Sequence, residues 1–520
     1  MKKKSKVLLT VILMFTMILS SCSFPLSFAK NNKADKKLLW SIESDNYEAV
    51  VESINEGANI NKLSGSLHEK TDNGVFEQNP FRIACFLSRW SIAKYLIESG
   101  ANPNDLDAEG KPILFYVVEK DNLDLCKTLL KHGVNINIKD KSGNTALDAC
   151  FSISPTYTYE NDVAANSMYD FLIANGANLS SQVLKNAMQD DTAAYCDYNL
   201  VQKIAKQLVS SKQEAGLSPL VESIVLGDLS KFNSLVKDQK DIDKKVLFYA
   251  AAFGDEETLQ TLLDKGMNIK STDYENDSLL EISAKTGNVN TFKYLMPKFN
   301  VNGDDGYLAL ESAVSNNQFE TAKELIANGV KIKSGLSVTS IADVLSAACA
   351  NGNLEMTKLL IENGYPSDGY IQAMQTAAQF NQVDVLSYLI STGCDVNGIF
   401  NLNTALGVAS FFGSIDCVKL LASNGANINE IPDVGTPLAE ACFTGQTEVV
   451  RYLLEKGADV NLQPSDPSSE QLPLLQAINS GSFDIVKLLV EHGAKVNSSI
   501  ISTAESAEST NILNYLKSQK

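Results

Sequence analysis

The sequence predicts an all-α solenoid of stacked helix-turn-helix units joined by short turn or β-finger loops. Three observations predict it. A five-residue signature recurs as Gly57-Ala58-Asn59-Ile60-Asn61, Gly100-Ala101-Asn102-Pro103-Asn104, Gly133-Val134-Asn135-Ile136-Asn137, Gly425-Ala426-Asn427-Ile428-Asn429, Gly457-Ala458-Asp459-Val460-Asn461 and Gly493-Ala494-Lys495-Val496-Asn497. The spacing is 33 residues from Gly100 to Gly133, 32 from Gly425 to Gly457 and 36 from Gly457 to Gly493. Each interval carries two short stretches with apolar residues at helical spacing. A fixed period of this size means that one supersecondary unit is repeated and stacked.

Residues 435–461 show how each element arises. Thr436 is a good N-cap, and Pro437 has φ preset for a first helical position. Leu438, Ala441 and Cys442 lie three and four apart and form one apolar stripe. Gly445 ends this short helix with a left-handed residue. Val449, Val450, Leu453 and Leu454 form the stripe of a second helix, which Gly457 ends. Asp459 and Asn461 suit the tight turn after it, because Asx side chains bond their own backbone. Helices this short are not stable alone, so each stripe must be buried against the next unit. Small residues at Ala84, Ala149, Ala348, Ala409 and Ala441 allow close approach of neighbouring helices.

Thr436-Pro437-Leu438 with Ala441, then Leu453-Leu454 and Gly457-Ala458-Asp459-Val460-Asn461, resembles the ankyrin repeat. The pattern is strong at 435–461 and clear at 37–61, 81–104, 110–137, 143–178, 403–429 and 472–497. It weakens at 245–270, 277–302, 307–333, 342–365 and 369–397, and is poor at 181–243. Roughly thirteen or fourteen units are expected between Lys37 and Asn497. The family's His after Thr-Pro-Leu is replaced by Ala439, Asp148 and Gly407, which removes one expected bond across the loops. The expected organisation is an N-terminal array over 37–214 with insertions, a C-terminal array over 215–499 and a helical cap over 500–520, as a monomeric array. The cap is expected because a solenoid's terminal units need a polar outer face.

Ahead of the array, Lys2, Lys3, Lys4 and Lys6 precede an apolar run from Val7 to Leu19, too short to span a bilayer comfortably. Leu19-Ser20-Ser21-Cys22 resembles a bacterial lipoprotein box. The resemblance implies a signal peptide over 1–21, lipid on Cys22, a polar tether over 22–36, and an exported protein anchored on the extracytoplasmic side of a membrane, at the cell surface or in a periplasm. Cleavage after Ala29, as in ordinary secretion, is the rival.

The chain has 44 basic and 62 acidic residues, a net charge of -18. Such a balance disfavours nucleic acid, which needs basic patches, and steers basic partner surfaces towards the chain. Its three histidines supply little material for catalysis. His132 and His492 each precede a helix-ending Gly, where a cation suits the helix dipole. No Cys-x-x-Cys pair occurs, so a zinc site has no local support. Cys85, Cys150, Cys349 and Cys442 all follow the Ala of a first helix and read as small core residues. Asn302-Gly303-Asp304-Asp305-Gly306 lacks calcium-loop spacing. No cofactor and no small-molecule substrate are expected.

The expected function is therefore non-enzymatic binding of a protein partner, as the ankyrin resemblance implies, through first helices and finger loops on the concave face. Aromatic residues recur near the ends of first helices there: Phe86, Phe151, Phe253, Phe380, Phe411, Phe412 and Phe443, with Trp90 one turn beyond Phe86. They form either an exposed anchor strip or contacts folded back onto the adjoining repeat. Tyr157 and Tyr159, in an apparent insertion over 152–166, are further candidates, since insertions in repeats map to one face. Two alternatives stand beside this reading: an inhibitor or immunity-like scaffold for an exported enzyme or toxin, and an enzyme with its site in the irregular 143–216 region.

Overall fold

Short apolar stripes, many of them closed by left-handed residues, become paired helices among the described residues. The computed structural model describes residues 33–61, 69–71, 74–76, 79–107, 110–120, 122–150, 168–188, 198–273, 276–333, 343–432, 435–462, 472–507 and 510–519. Two compact units divide the chain, Met1–Asn144 and Thr145–Lys520.

The first unit holds three helix pairs: α1 (Lys33–Glu43) with α2 (Tyr47–Asn55), α3 (Pro80–Phe86) with α4 (Trp90–Glu98), and α5 (Ile113–Glu119) with α6 (Leu123–Lys131). A small antiparallel ribbon, β1 (Glu69–Thr71) with β2 (Gly74–Phe76), lies between the first two pairs in sequence. The second unit begins with α7 (Ala146–Ala149) and a helical stretch over 168–174. Pairing continues through the region of poor repeat pattern, as α8 (Ser181–Met188) with α9 (Tyr198–Ser210) and α10 (Pro219–Leu226) with α11 (Leu229–Val236). Then come α12 (Lys245–Phe253) with α13 (Glu256–Asp264), α14 (Leu279–Thr286) with α15 (Val289–Leu295), α16 (Asp304–Ser315) with α17 (Phe319–Ala327), and α18 (Val344–Ala350) with α19 (Leu354–Glu362). The remaining pairs are α20 (Tyr370–Gln379) with α21 (Val383–Ser391), α22 (Ala405–Phe412) with α23 (Ile415–Ser423), α24 (Pro437–Phe443) with α25 (Thr447–Glu455), α26 (Pro473–Asn479) with α27 (Phe483–Glu491), and α28 (Ser498–Ser506) with α29 (Thr510–Ser518). A second ribbon, β3 (Ile399–Phe400) with β4 (Asn403–Thr404), precedes α22.

Local chemistry explains the ends. Thr436 Oγ1 accepts the Ala439 N–H at 3.1 Å, Pro437 opens α24, and Gly445 holds φ at 76°. First helices stack on first helices, and second on second, in α22–α24–α26 and α23–α25–α27. Val449, Val450, Leu453 and Leu454 are all buried, as is the Ala of each first helix at Ala84, Ala149, Ala348, Ala409 and Ala441. Asp304 and Asp305 of the Asn302–Gly306 stretch lie in the first turn of α16, where the helix dipole favours acids.

The signature glycines sit in left-handed conformation, with φ of 90° at Gly425 and 88° at Gly457. The turn after each glycine ties one repeat to the next. Asn429 Nδ2 donates to the Gly457 carbonyl at 3.2 Å, while its Oδ1 accepts the Asp459 N–H at 2.8 Å. Asn397 makes the same two bonds to Gly425 and Asn427, and Asn461 makes them to Gly493 and Lys495. In the first unit Asn61 and Asn104 clamp the next repeat likewise. The clamped residue in turn bonds the N–H two residues on, as Asp459 Oδ1 does with Asn461 at 2.9 Å, so each clamp orients the next. Where the pattern weakens, Lys270 stands at the clamp position and reaches the Lys298 carbonyl at 3.4 Å. Order across the loops thus comes from asparagine amides in repeats that lack the family's His.

Removing one clamp takes two inter-repeat hydrogen bonds, each contributing on the order of 1 kcal/mol. Asn429→Ala is expected to lower unfolding free energy by about 1–2 kcal/mol, read as a reduced urea midpoint followed by circular dichroism. An unchanged midpoint would remove the clamp from the stability argument.

Candidate functional site

Three aromatic side chains meet where two first helices of the second unit end. Phe411 and Phe412 close α22, and Phe443 closes α24. The Phe411 ring lies 5.0 Å from Phe412 edge-on and 6.1 Å from Phe443 in a tilted arrangement. Phe412 and Phe443 remain 49% and 43% exposed, while Phe411 is half-buried between them. Thr444 Oγ1 donates to the Phe411 carbonyl at 2.7 Å, which ties the ends of α22 and α24 together.

The finger before α22 adds apolar surface. Ile399 is 52% exposed and Leu402 41%. Asn401 and Leu402 both adopt positive φ, 48° and 66°, at the tip of the ribbon. Asn suits such a turn, but a leucine there carries a strain of roughly 1–2 kcal/mol, since its Cβ crowds the carbonyl. The finger is held from behind. Gln375 Nε2, on α20, donates to the Phe400 carbonyl at 3.0 Å and the Asn403 carbonyl at 2.7 Å.

Glu440 lies one helical turn before Phe443 on α24 and is half-buried. Burial alone raises its carboxyl from the ordinary range to about 7. Two other half-buried carboxylates behave similarly. Glu311 rises to about 7 through burial and then the nearby negative charges of Glu281, Asp343 and Asp277, and Glu43 rises to about 7 through burial. Tyr365 donates its hydroxyl to Asp343 Oδ1 at 2.5 Å in the same acidic neighbourhood as Glu311.

The other aromatic candidates are dispersed. Phe86 ends α3 in the first unit and is 50% exposed. Trp90 is half-buried and opens the second helix α4, so it belongs to a different helix from Phe86. Phe253 is half-buried and packs edge-on against Tyr198 with centroids 6.3 Å apart. Phe380 is half-buried at the end of α20. Phe151, Tyr157, Tyr159 and Cys22 lie outside the described residues. Sequence reading missed Leu402, Ile399 and Glu440. The Asn401-Leu402 tip has no Gly to flag its turn, and an acid inside an apolar helix reads as a solvated face.

His132 Nδ1 bonds the Thr128 carbonyl at 2.9 Å and His492 Nδ1 the Leu488 carbonyl at 2.8 Å, so both cap helix C-termini. The seven described cysteines are free thiols, and burial raises those of Cys85, Cys349 and Cys442 strongly. Among the described residues no group of three His, Cys, Asp or Glu side chains has metal-holding geometry, and no helix is long and apolar enough to cross a membrane.

A carboxylate whose folded pKa lies above its unfolded value near 4.5 binds more protons in the folded state between those limits. Its contribution to stability is whole below pH 4.5 and falls as pH rises through about 7. Thermal melts are expected to drop from pH 5 to pH 8, and Glu440→Gln or Glu311→Gln to make that drop shallower. A parallel drop in both variants would dismiss the assignment. Native chain is further expected to leave Cys85, Cys349 and Cys442 unreacted with an aromatic disulfide reagent until urea is added. Prompt labelling of all three without urea would contradict their burial.

The family described as ankyrin repeats matches residues 38–140, 247–335, 345–432 and 430–500, more than half of the chain. The transient receptor potential cation channel subfamily A member 1 of Homo sapiens is 24% identical over 52% of this chain and 22% of its own length. An L-asparaginase of Dirofilaria immitis is 23% identical over 46% of this chain and 38% of its own length. This chain thus spans well under half of the curated relatives it matches. Among solved structures, the ankyrin repeat domain of human ASB11 matches at 24% identity and a TM-score of 0.36, over 41% of this chain and 97% of that one. The protein belongs to the ankyrin-repeat family, whose members typically mediate protein–protein interaction.

Proposed function

We propose that the protein is a non-enzymatic lipoprotein that binds a protein partner outside the cytoplasm through its first-helix and finger face. The observation that carries the binding reading is the joined ring cluster of Phe411, Phe412 and Phe443, with two of its rings exposed on adjoining helices. Clustered aromatics supply large contact area at little conformational entropy and anchor interfaces. The strained, exposed Leu402, on the finger that leads into α22, adds to this reading, since strain is retained where function uses it. The anchor reading rests on Leu19-Ser20-Ser21-Cys22 behind a basic, then apolar, leader. Lipid on Cys22 would tether the array to the outer side of a membrane, and the acidic body would stand off anionic head groups.

Capture of partners from a membrane extract, with the mature array as bait, tests the face. Changing Phe411, Phe412 and Phe443 together to Ala is expected to abolish recovery of the partner that the wild type retains. Equal recovery would reject the face. For the anchor, Cys22→Ala is expected to move the protein from the membrane to the soluble fraction or to stall its processing. Normal processing with full membrane retention would reject lipidation at Cys22.

A further inference from the structure

We propose that the face formed by β3, β4, α22 and α24 takes a basic, apolar-flanked segment of the partner, with a cationic side chain on Glu440 and apolar neighbours on the Phe411, Phe412 and Phe443 rings. This deepens the binding reading above and rests on it.

Charge complementarity singles out the occupant. Glu440 and Phe443 are three residues apart on α24, so they share one side of the helix. Among the described residues no ion pair or hydrogen bond reaches the Glu440 carboxylate, and burial is the sole cause of its raised proton affinity. Five residues before the left-handed glycines Gly413, Gly445 and Gly481 that follow α22, α24 and α26, Glu440 stands at the position held by Val408 in the repeat before and Gln476 in the repeat after. Neither neighbour is cationic. An acid left half-buried without a counter-charge is a standing penalty in the free protein, and a partner cation relieves it.

The rings reinforce that choice. A Lys or Arg on Glu440 lies within one turn of Phe443, whose ring face attracts cations. Its apolar neighbours then cover the exposed parts of Phe412 and Phe443, with the Leu402 tip offering further apolar surface. An acidic segment would meet Glu440 with like charge, and a purely apolar one would bury the carboxylate further with nothing to compensate it. The chain's net charge of -18 favours approach of the basic segment over longer range.

The mature chain is titrated with short synthetic peptides of equal length that alternate Leu with Lys, Gln or Glu, followed by fluorescence anisotropy. The Leu/Lys peptide is expected to bind best. Glu440→Gln is expected to weaken it about tenfold or more while leaving the Leu/Gln peptide unchanged. Glu455→Gln, which removes an exposed acid from the second helix α25, controls for overall charge and is expected to leave all three peptides unaffected. Val408→Lys, which places an internal cation beside Glu440, is expected to weaken the Leu/Lys peptide as well and guards against a folding defect peculiar to the Gln variant. At pH 7 the Leu/Lys peptide is expected to release roughly half a proton per chain from the wild type and none from Glu440→Gln, read by calorimetry in buffers of different ionisation heat. Equal weakening by Glu440→Gln and Glu455→Gln, or equal binding of the Leu/Lys and Leu/Gln peptides, overturns the proposal. If the triple Phe variant loses its captured partner while Glu440→Gln binds the Leu/Lys peptide as wild type does, the basic class falls and the face stands. If neither variant matters, both fall.

Discussion

The asparagine clamp between successive repeats is the interaction on which the geometry around the candidate site depends. No helix pair here is long enough to stand alone, and the apolar stripes only say that helices must stack. The stripe alone leaves the offset between neighbours loose, because apolar contact is non-directional. Asn397, Asn429 and Asn461 remove that freedom by donating to one backbone group of the next repeat and accepting from another. Two bonds from one planar amide fix both distance and orientation. The candidate site sits within this best-clamped stretch, and the spacing of the Phe411 and Phe443 rings depends on it.

The same stretch concentrates features that a folding argument alone does not require. Leu402 holds a left-handed conformation at an exposed tip, two rings face outward, and Glu440 is half-buried with no counter-charge among the described residues. Each departs from the local rule for its position. Their convergence on adjoining repeats, over an otherwise regular scaffold, is the pattern expected where a surface serves binding rather than stability.

Much of the fold was legible in the sequence because it is written in local chemistry. The Thr436-Pro437 start, the Gly445 and Gly457 stops and the Val449–Leu454 stripe act over a turn or two, and each appears where the residues place it. The poor pattern at 181–243 concealed helix pairs, because the Gly-Ala-Asn mark is lost there while the apolar stripes of α9 and α10 remain. The aromatic row was legible only as a set of positions. Phe253 and Phe443 both close a first helix, yet Tyr198 covers Phe253 while the ring of Phe443 stays open.

By itself the sequence determined the repeat, its helix ends, its family and its acidic balance, all of which depend on residue type and spacing along the chain. Only the tertiary structure decided which asparagine bonds which glycine carbonyl, which phenylalanines meet as one cluster, and that no described cation pairs with Glu440. Those facts depend on groups some thirty residues apart being brought together by stacking, and exposure is a property of the neighbours as much as of the residue.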